Sequence, residues 1–455
     1  MLLAVLSLLL LITSVFSLSS CFYYEAESKE EIIENVQNTS AEDTEDYSFV
    51  MQYFRLWGIP KFDTEKFSWV EDKFNRNFKY EDGLPEKLEH ASLAADYFLA
   101  NFYDSIDLDN ETEVTDALIT SYVDVIGDPY SIYRVPEEYT DYTGDINGKF
   151  GGIGVIIEYD HRNETLMIST IYVDSPAEKA GFKVGDYIWA VDGVTVSKMG
   201  YLNAVYAVRG EIGTEVKITV KRGEEFIDLV CTRAEVEETS VDYKIDENGY
   251  GYIRVTGFKA NTYKQFVAAV DYMESAGVPG VIFDMRNNPG GLLDSVCEIM
   301  SYLVPTGQTL VTYELSGNTF IETKAKDDVH PVTGEKIDHV LDLPMVVLCN
   351  EYTASAGEIF TAAIRDYRND GLIDATIVGT TTYKKGIMQT TYTYEDGSSI
   401  TLTIAYYNPP CGENYHGEGV NPDVHALNTA TEDTQYKTAV EELKKLINAN
   451  NNLQI

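Results

Sequence analysis

The sequence predicts a mixed α/β protein: a βαβ-containing core, a glycine-rich β unit inserted ahead of it, and a helical region before both. Three observations carry this. The stretch 344–367, PMVVLCNEYTASAGEIFTAAIRDY, opens with an apolar run of buried-strand length. It passes through small and polar residues into a pattern with Ile359, Phe360, Ala363 and Ile364 on one helical face. Residues 252–255, 262–275 and 280–283 read as strand, helix, strand with short joints, the signature of a crossover in a parallel sheet. Between 148 and 231 the texture turns to glycine-marked turns and short β-branched runs.

In chain order, residues 1–18 are almost wholly apolar and are followed by Leu18-Ser19-Ser20-Cys21. Small residues before a cysteine after an apolar segment resemble a bacterial lipobox, with Cys21 as the lipidated mature terminus. No Lys or Arg precedes the segment, which sets it apart from the usual basic start of a signal peptide. A plain cleaved signal peptide and a retained anchor fit the same stretch. Each of the three puts the bulk of the chain outside the cytoplasm, either lipid-anchored on the outer face of the cytoplasmic membrane or secreted. Residues 22–48 are acidic and polar, lack periodic apolar positions, and read as a tether. Residues 49–140 hold aromatic-rich helical patterns at 88–102 and 114–126. The remaining expected units are 141–235 for the glycine-rich insert, 236–428 for the core, and 429–455 for a C-terminal helix and tail.

Composition narrows the functions. At 455 residues there is chain for about three domains. A net charge of −40 argues against nucleic acid as a partner, because phosphate neutralisation needs Lys and Arg. Beyond Cys21, the cysteines Cys231, Cys297, Cys349 and Cys411 are far apart, without CxxC or His spacing, so neither metal nor cofactor is implied.

Ser355 is the candidate nucleophile. The pattern puts it where a strand turns into a helix, beside free N–H groups and the positive end of the helix dipole. Small neighbours there let substrate backbone approach. The structural alternative is a capping box, with Ser355 at the N-cap and Glu358 three residues on. At the end of the 280–283 strand stands Asn287-Asn288-Pro289-Gly290-Gly291, a tight turn whose amides are usable as oxyanion donors. Asp366 follows one turn past the helix's apolar face. All six histidines lie outside the Ser355 stretch, which disfavours a Ser-His-Asp triad, and a lysine can serve as base where it is neutral near pH 7. Its ordinary pKa of about 10.4 must fall to near 7, about 4 kcal/mol of differential destabilisation, which burial can supply. Lys385 is therefore expected in an apolar pocket free of carboxylates. Lys385 and Gln389 share strand parity and so one face, with Lys384 pointing away.

Two family resemblances follow from these residues. Phe150-Gly151-Gly152-Ile153-Gly154-Val155, the run 173–182, Gly185-Asp186 and Val191-Asp192-Gly193 together resemble a PDZ domain of bacterial envelope proteases. That resemblance implies that Phe150, Gly151, Gly152, Ile153 and Gly154 bind a peptide's terminal carboxylate, with the peptide added as a strand. Over about 128–425, the ordered motifs resemble the carboxyl-terminal processing peptidases, or tail-specific serine proteases. These motifs are Asp128-Pro129-Tyr130-Ser131, the PDZ set, 287–291, Thr353 to Glu358, Lys385-Gly386 with Gln389, and Gly419 to Asp423. The resemblance implies a crotonase/ClpP-like core, Ser355 as nucleophile, Lys385 as general base and Gln389 as a supporting amide. It also implies an oxyanion hole from Ala356 with Gly290 or Gly291, and a supporting carboxylate at Asp366. Gly357 stands where relatives often carry a second serine, and Lys384 where a glycine usually precedes the lysine. The expected function is an envelope-anchored serine endopeptidase acting near the C-termini of protein substrates. The rival is a non-catalytic PDZ module that captures C-terminal peptides on a peptidase-like scaffold.

Overall fold

Asp63 starts the first described helix, α1 (Thr64–Asn77), by accepting the N–H groups of Glu65 and Lys66 on its side chain. The structure, a computed structural model, describes residues 61–79, 87–160, 165–315, 319–326, 328–331, 333–337, 339–412 and 414–453. The apolar leader, Cys21 and the acidic tether lie outside these residues. Helix α2 (Lys87–Asn101) and α3 (Glu111–Asp124), the latter capped by Asn110, complete the helical region. Phe67, Phe74, Phe98, Leu118 and Tyr122 form its core, and Ile400 and Leu402, nearly three hundred residues on, are part of the same cluster. The short strand β1 (Ile132–Arg134) pairs antiparallel with Thr401, Ile400 and Ser399. The helical region is thus sewn into the C-terminal half of the chain rather than standing apart.

Helix α4 (Pro136–Asn147) leads into the insert: β2 (Lys149–Gly152), β3 (Val155–Asp160), β4 (Thr165–Ile171), α5 (Pro176–Ala180) and β5 (Tyr187–Val191). Then come β6 (Val194–Thr195), α6 (Val196–Met199), α7 (Tyr201–Val208), β7 (Glu215–Arg222), β8 (Glu225–Thr232) and β9 (Ala234–Glu237). Its sheet runs β3-β4-β5-β7-β8, with β6 beside β5, around a core of its own that includes Ile153, Leu166, Ile188 and Ile218. Where the chain enters and leaves, β2 and β9 pair antiparallel, as expected of an insert held at both ends.

The core begins with β10 (Val241–Ile245), β11 (Gly251–Val255), α8 (Thr262–Ser275), β12 (Val281–Asp284) and α9 (Leu293–Leu303). It continues through β13 (Thr309–Leu315), β14 (Thr319–Lys324), β15 (Asp328–Val329), β16 (Lys336–Ile337) and β17 (Met345–Cys349). It ends with α10 (Ala356–Asn369), β18 (Ala375–Gly379), β19 (Ile387–Thr393), β20 (Ser399–Asn408), β21 (Val424–His425) and α11 (Thr434–Leu453). The main sheet is ordered β10-β11-β12-β17-β18-β21 and is parallel from β11 onward. Its central strands β12 and β17 are buried on both faces. Phe283, Met345 and Val347 pack among α8, α9 and α10, while Ile282, Val346 and Leu348 meet Ala439 and Leu443 of α11. Double burial is why 345–349 reads as an unbroken apolar run. A second sheet, β1-β20-β13-β14 with β19 on β20, stands beside it. Because β12 and β17 are parallel neighbours, the loops 285–291 and 350–355 leave the sheet at the same edge. Cys231, Cys297 and Cys349 are buried free thiols, and Cys411 is exposed.

Candidate active site

Ser355 stands between β17 and α10 with φ 52° and ψ −118°, left-handed backbone that a non-glycine residue adopts at a cost of about 1–3 kcal/mol. The surrounding loop enforces it. Ala354 N–H donates to the Asn288 carbonyl at 2.8 Å, Thr353 Oγ1 donates to the Met285 carbonyl at 2.8 Å, and Asn287 and Asn350 exchange two hydrogen bonds. The two loops at the sheet edge are therefore one unit. Its base is fixed by Arg286, which joins Asp284 at 2.6 Å to Asp433 at 2.7 Å.

Gly290 lies directly against the elbow: a Cβ there would fall 2.7 Å from Ser355 Cβ and 2.9 Å from the Ala356 nitrogen. Of the two candidate donors, its amide is already given to Asn288 Oδ1 at 2.8 Å. Gly291 N–H and Ala356 N–H, the latter in the first helical turn where no intrahelical acceptor exists, are the amides to consider for an oxyanion.

Glu358 is fully buried and does more than cap the helix. Its Oε2 accepts the N–H of Ser355 at 2.9 Å and the N–H of Lys385 at 2.8 Å. Its Oε1 accepts the N–H of Lys384 at 2.7 Å and the Thr382 hydroxyl at 2.5 Å. One carboxylate oxygen thus joins the backbones of the nucleophile and the candidate base. Tyr407 holds the same segment, donating to the Lys385 carbonyl at 2.5 Å. Sequence reasoning read Glu358 only as a cap and missed Tyr407. The S-x-x-E spacing was the available signal for the first; nothing local marks the second.

Lys385 Nζ lies 4.2 Å from the centroid of the Tyr130 ring. Burial pushes its ammonium below the usual lysine value, while the charges of Asp128 and Glu358 pull it partway back. The expected carboxylate-free pocket is therefore wrong: burial prevails against two carboxylates rather than in their absence. Tyr130 and Asp128 belong to the 128–131 motif, so the sequence held the signal without the role.

The parity argument also fails in its premise. Lys385 precedes β19, and a bulge between Met388 and Gln389 interrupts the alternation. Gln389 Nε2 donates to Thr403 Oγ1 at 3.2 Å, which leaves its carbonyl oxygen as the group able to receive a proton donor. Lys384 adopts a backbone that favours glycine, with φ 84°. Asp366 is about 16 Å of helix rise from Ser355. It binds Arg365 at 2.9 Å and accepts the Cys411 N–H at 3.0 Å, so it anchors a loop and does not reach the hydroxyl. That loop in turn packs on Gly386, where a Cβ would lie 2.8 Å from the His416 nitrogen.

In the insert, a groove of about 270 Å³ runs between β3 and α7. Gly152, Ile153 and Gly154 line it with Val155, Ile157, Val205 and Val208. Gly151, which pairs with Glu235 of β9, is not among the lining residues, and the Phe150 side chain lies outside what the structure describes. Arg233 closes the far end of α7 by donating to the carbonyls of Ala207 and Val208.

The sequence profile of peptidase family S41 matches residues 249–426, and that of a PDZ domain matches 167–222. The carboxy-terminal processing protease CtpA of Bacillus subtilis is 33% identical over 341 residues, 75% of this chain and 69% of that protein. A Staphylococcus haemolyticus protein described as a CtpA-like serine protease is 34% identical over 340 residues, 74% of this chain. The matched stretch spans 64% of that relative, less than two thirds of its length. A solved Bacteroides fragilis structure assigned to the S41 proteases shares the fold, with TM-score 0.51 and 15% identity over 83% of this chain and 96% of the other. With a 33% identical relative covered over more than two thirds of its length, the chain belongs to the S41 family of C-terminal processing serine proteases and carries a PDZ domain.

Proposed function

We propose that this chain is an envelope-anchored serine endopeptidase that cuts protein substrates near their C-termini through a Ser355/Lys385 acyl-enzyme mechanism. In this reading neutral Lys385 takes the Ser355 proton as Oγ attacks the scissile carbonyl carbon. The resulting oxyanion is held by the N–H groups of Ala356 and Gly291. The Lys385 ammonium then protonates the departing amine, leaving an ester on Ser355. Water, deprotonated by Lys385, attacks that ester and frees the enzyme. Gln389, oriented by Thr403, steadies the amine through its carbonyl oxygen. The PDZ groove receives the substrate's free C-terminus, its carboxylate on the 152–154 amides and its last side chain among Ile153, Val155 and Val208.

The observation that carries the reading is the buried carboxylate shared by the Ser355 and Lys385 amides, beside a lysine whose charged form burial disfavours. The test is turnover of an unstructured reporter peptide and of casein. Ser355→Ala and Lys385→Ala should each abolish cleavage and leave the thermal transition of the full chain in place. Comparable turnover by either variant defeats the mechanism. No products from the wild-type chain, with tight capture of C-terminal peptides, would favour a binding module instead. The anchoring is tested separately: labelled fatty acid should be incorporated into the wild-type chain and not into Cys21→Ser.

A further inference from the structure

The proposed base is placed by its backbone, and all four backbone polar groups of Lys385 and Gly386 are pinned. Lys385 N–H goes to Glu358 and its carbonyl receives Tyr407, while the Gly386 carbonyl receives Asn414 Nδ2 at 2.8 Å and the Tyr407 N–H at 3.2 Å. The fourth pin differs in kind: Gly386 N–H donates to His416 Nδ1 at 3.2 Å. The loop that carries His416 is itself locked on, since Gly417 N–H donates to the Lys384 carbonyl at 3.0 Å. His416 N–H in turn donates to Asn414 Oδ1 at 2.8 Å.

Gly386 is buried and His416 half-buried, so water reaches the ring while the amide depends on it. An imidazole nitrogen accepts an N–H only through a lone pair. A proton on Nδ1 turns that acceptor into a donor and leaves a buried amide facing another N–H, so the hydrogen bond is lost. The titratable and charged groups brought to His416 are Tyr406 of β20, its ring edge-on at 6.0 Å, Lys384 and Lys385 of the clamped segment, and Glu418 of its own loop. Lys79 sits 5.0 Å from the Tyr406 ring.

We infer that His416 is a positioning residue, one that holds the Lys385 segment in register only while its Nδ1 is unprotonated. This rests on the reading of Lys385 as base. Two protonations then disable the enzyme at low pH, one on the lysine amine and one on the clamp.

The experiment is the pH profile of kcat on a short reporter peptide for the full chain, His416→Ala and His416→Asn. The asparagine places an amide oxygen near the Nδ1 position and does not titrate. At pH 8, His416→Ala should lose tenfold or more in kcat with KM changed less than twofold, and His416→Asn should regain at least a third of the wild-type value. At the acid end, log kcat should fall with a slope approaching two for the wild type and remain near one for His416→Asn. As a second readout, the ¹⁵N-glycine spectrum of Ser355→Ala should show the Gly386 amide moving with the protonation of His416. Wild-type kcat in His416→Ala, a slope near two in His416→Asn, or a Gly386 amide indifferent to that protonation would each overturn the clamp. Turnover by Lys385→Ala, measured alongside, removes the proposed base instead, and the Gly386 titration still decides whether the histidine grips the segment.

Discussion

Beside Ser355, the side chains of Asn288, Thr353, Ala356 and Glu358 are closed off from water, and a single buried carboxylate holds two distant backbones. In the PDZ insert, by contrast, the groove between β3 and α7 lies open and is shaped by apolar side chains and glycine amides. The core's strand β17 is buried throughout, whereas β7 alternates between buried and accessible positions. The difference matches two tasks. A proton transfer needs groups fixed to a fraction of an ångström, which a fully satisfied polar network in low dielectric provides. Capture of a chain end needs an accessible edge and an apolar socket, which tolerates side-chain variation.

The most disruptive way to probe that contrast is Glu358→Gln. The amide NH₂ would face two of the four donors, so we expect turnover to drop at least a hundredfold and stability by about 2–4 kcal/mol. Near-normal kcat and melting temperature in this variant would mean that the shared carboxylate is incidental. A second probe uses His90 of the helical region, whose ring meets a backbone carbonyl, that of Tyr122 at 2.6 Å, rather than a carboxylate. His90 is buried against Tyr122, with ring centroids 3.8 Å apart, and burial holds its imidazole down at about 4. A base with a depressed folded value is bound by fewer protons in the folded than in the unfolded chain. Its contribution is therefore complete above about pH 6.5 and is lost as pH falls toward 4, by about 3 kcal/mol. Denaturant midpoints of wild type and His90→Gln should converge over that window. Parallel curves would show that His90 is not the acid-sensitive group.

In the groove, Val205→Asp should weaken a C-terminal hexapeptide about tenfold, close to 1.4 kcal/mol, by calorimetry in the Ser355→Ala chain. Unchanged affinity would take the groove out of the comparison. The smallest effect is expected at Lys384. Its φ of 84° suits glycine, so Lys384→Gly should stabilise the chain by about 0.5–1 kcal/mol, read as a higher thermal midpoint. A lower midpoint would show that the lysine side chain outweighs the backbone strain.

What was legible beforehand was whatever leaves a local trace. The apolar run 345–349 announced a doubly covered strand, and 262–275 emerged as a helix at those bounds because its periodicity is local. Ser355 was legible too, since a strand-to-helix turn of small residues is a local pattern. The bulge at Met388/Gln389 was not, because bulges answer to the partner strand β20 and not to the sequence beside them. Nor was the pairing of 132–134 with 399–401, or the role of Tyr407 and His416, which depend on chain folded back from elsewhere.

The sequence by itself determined the order of units, the parallel core, the nucleophile's turn and the glycine-marked insert. These follow from periodicity, turn chemistry and short-range sterics, which act over a few residues. Only the tertiary structure decided that Glu358 joins Ser355 to Lys385, that Lys385 loses charge against Asp128 and Glu358, and that Asp366 serves a loop. Hydrogen-bond partners, burial and the field at a buried amine are sums over neighbours in space, and those neighbours come from segments far apart in the chain.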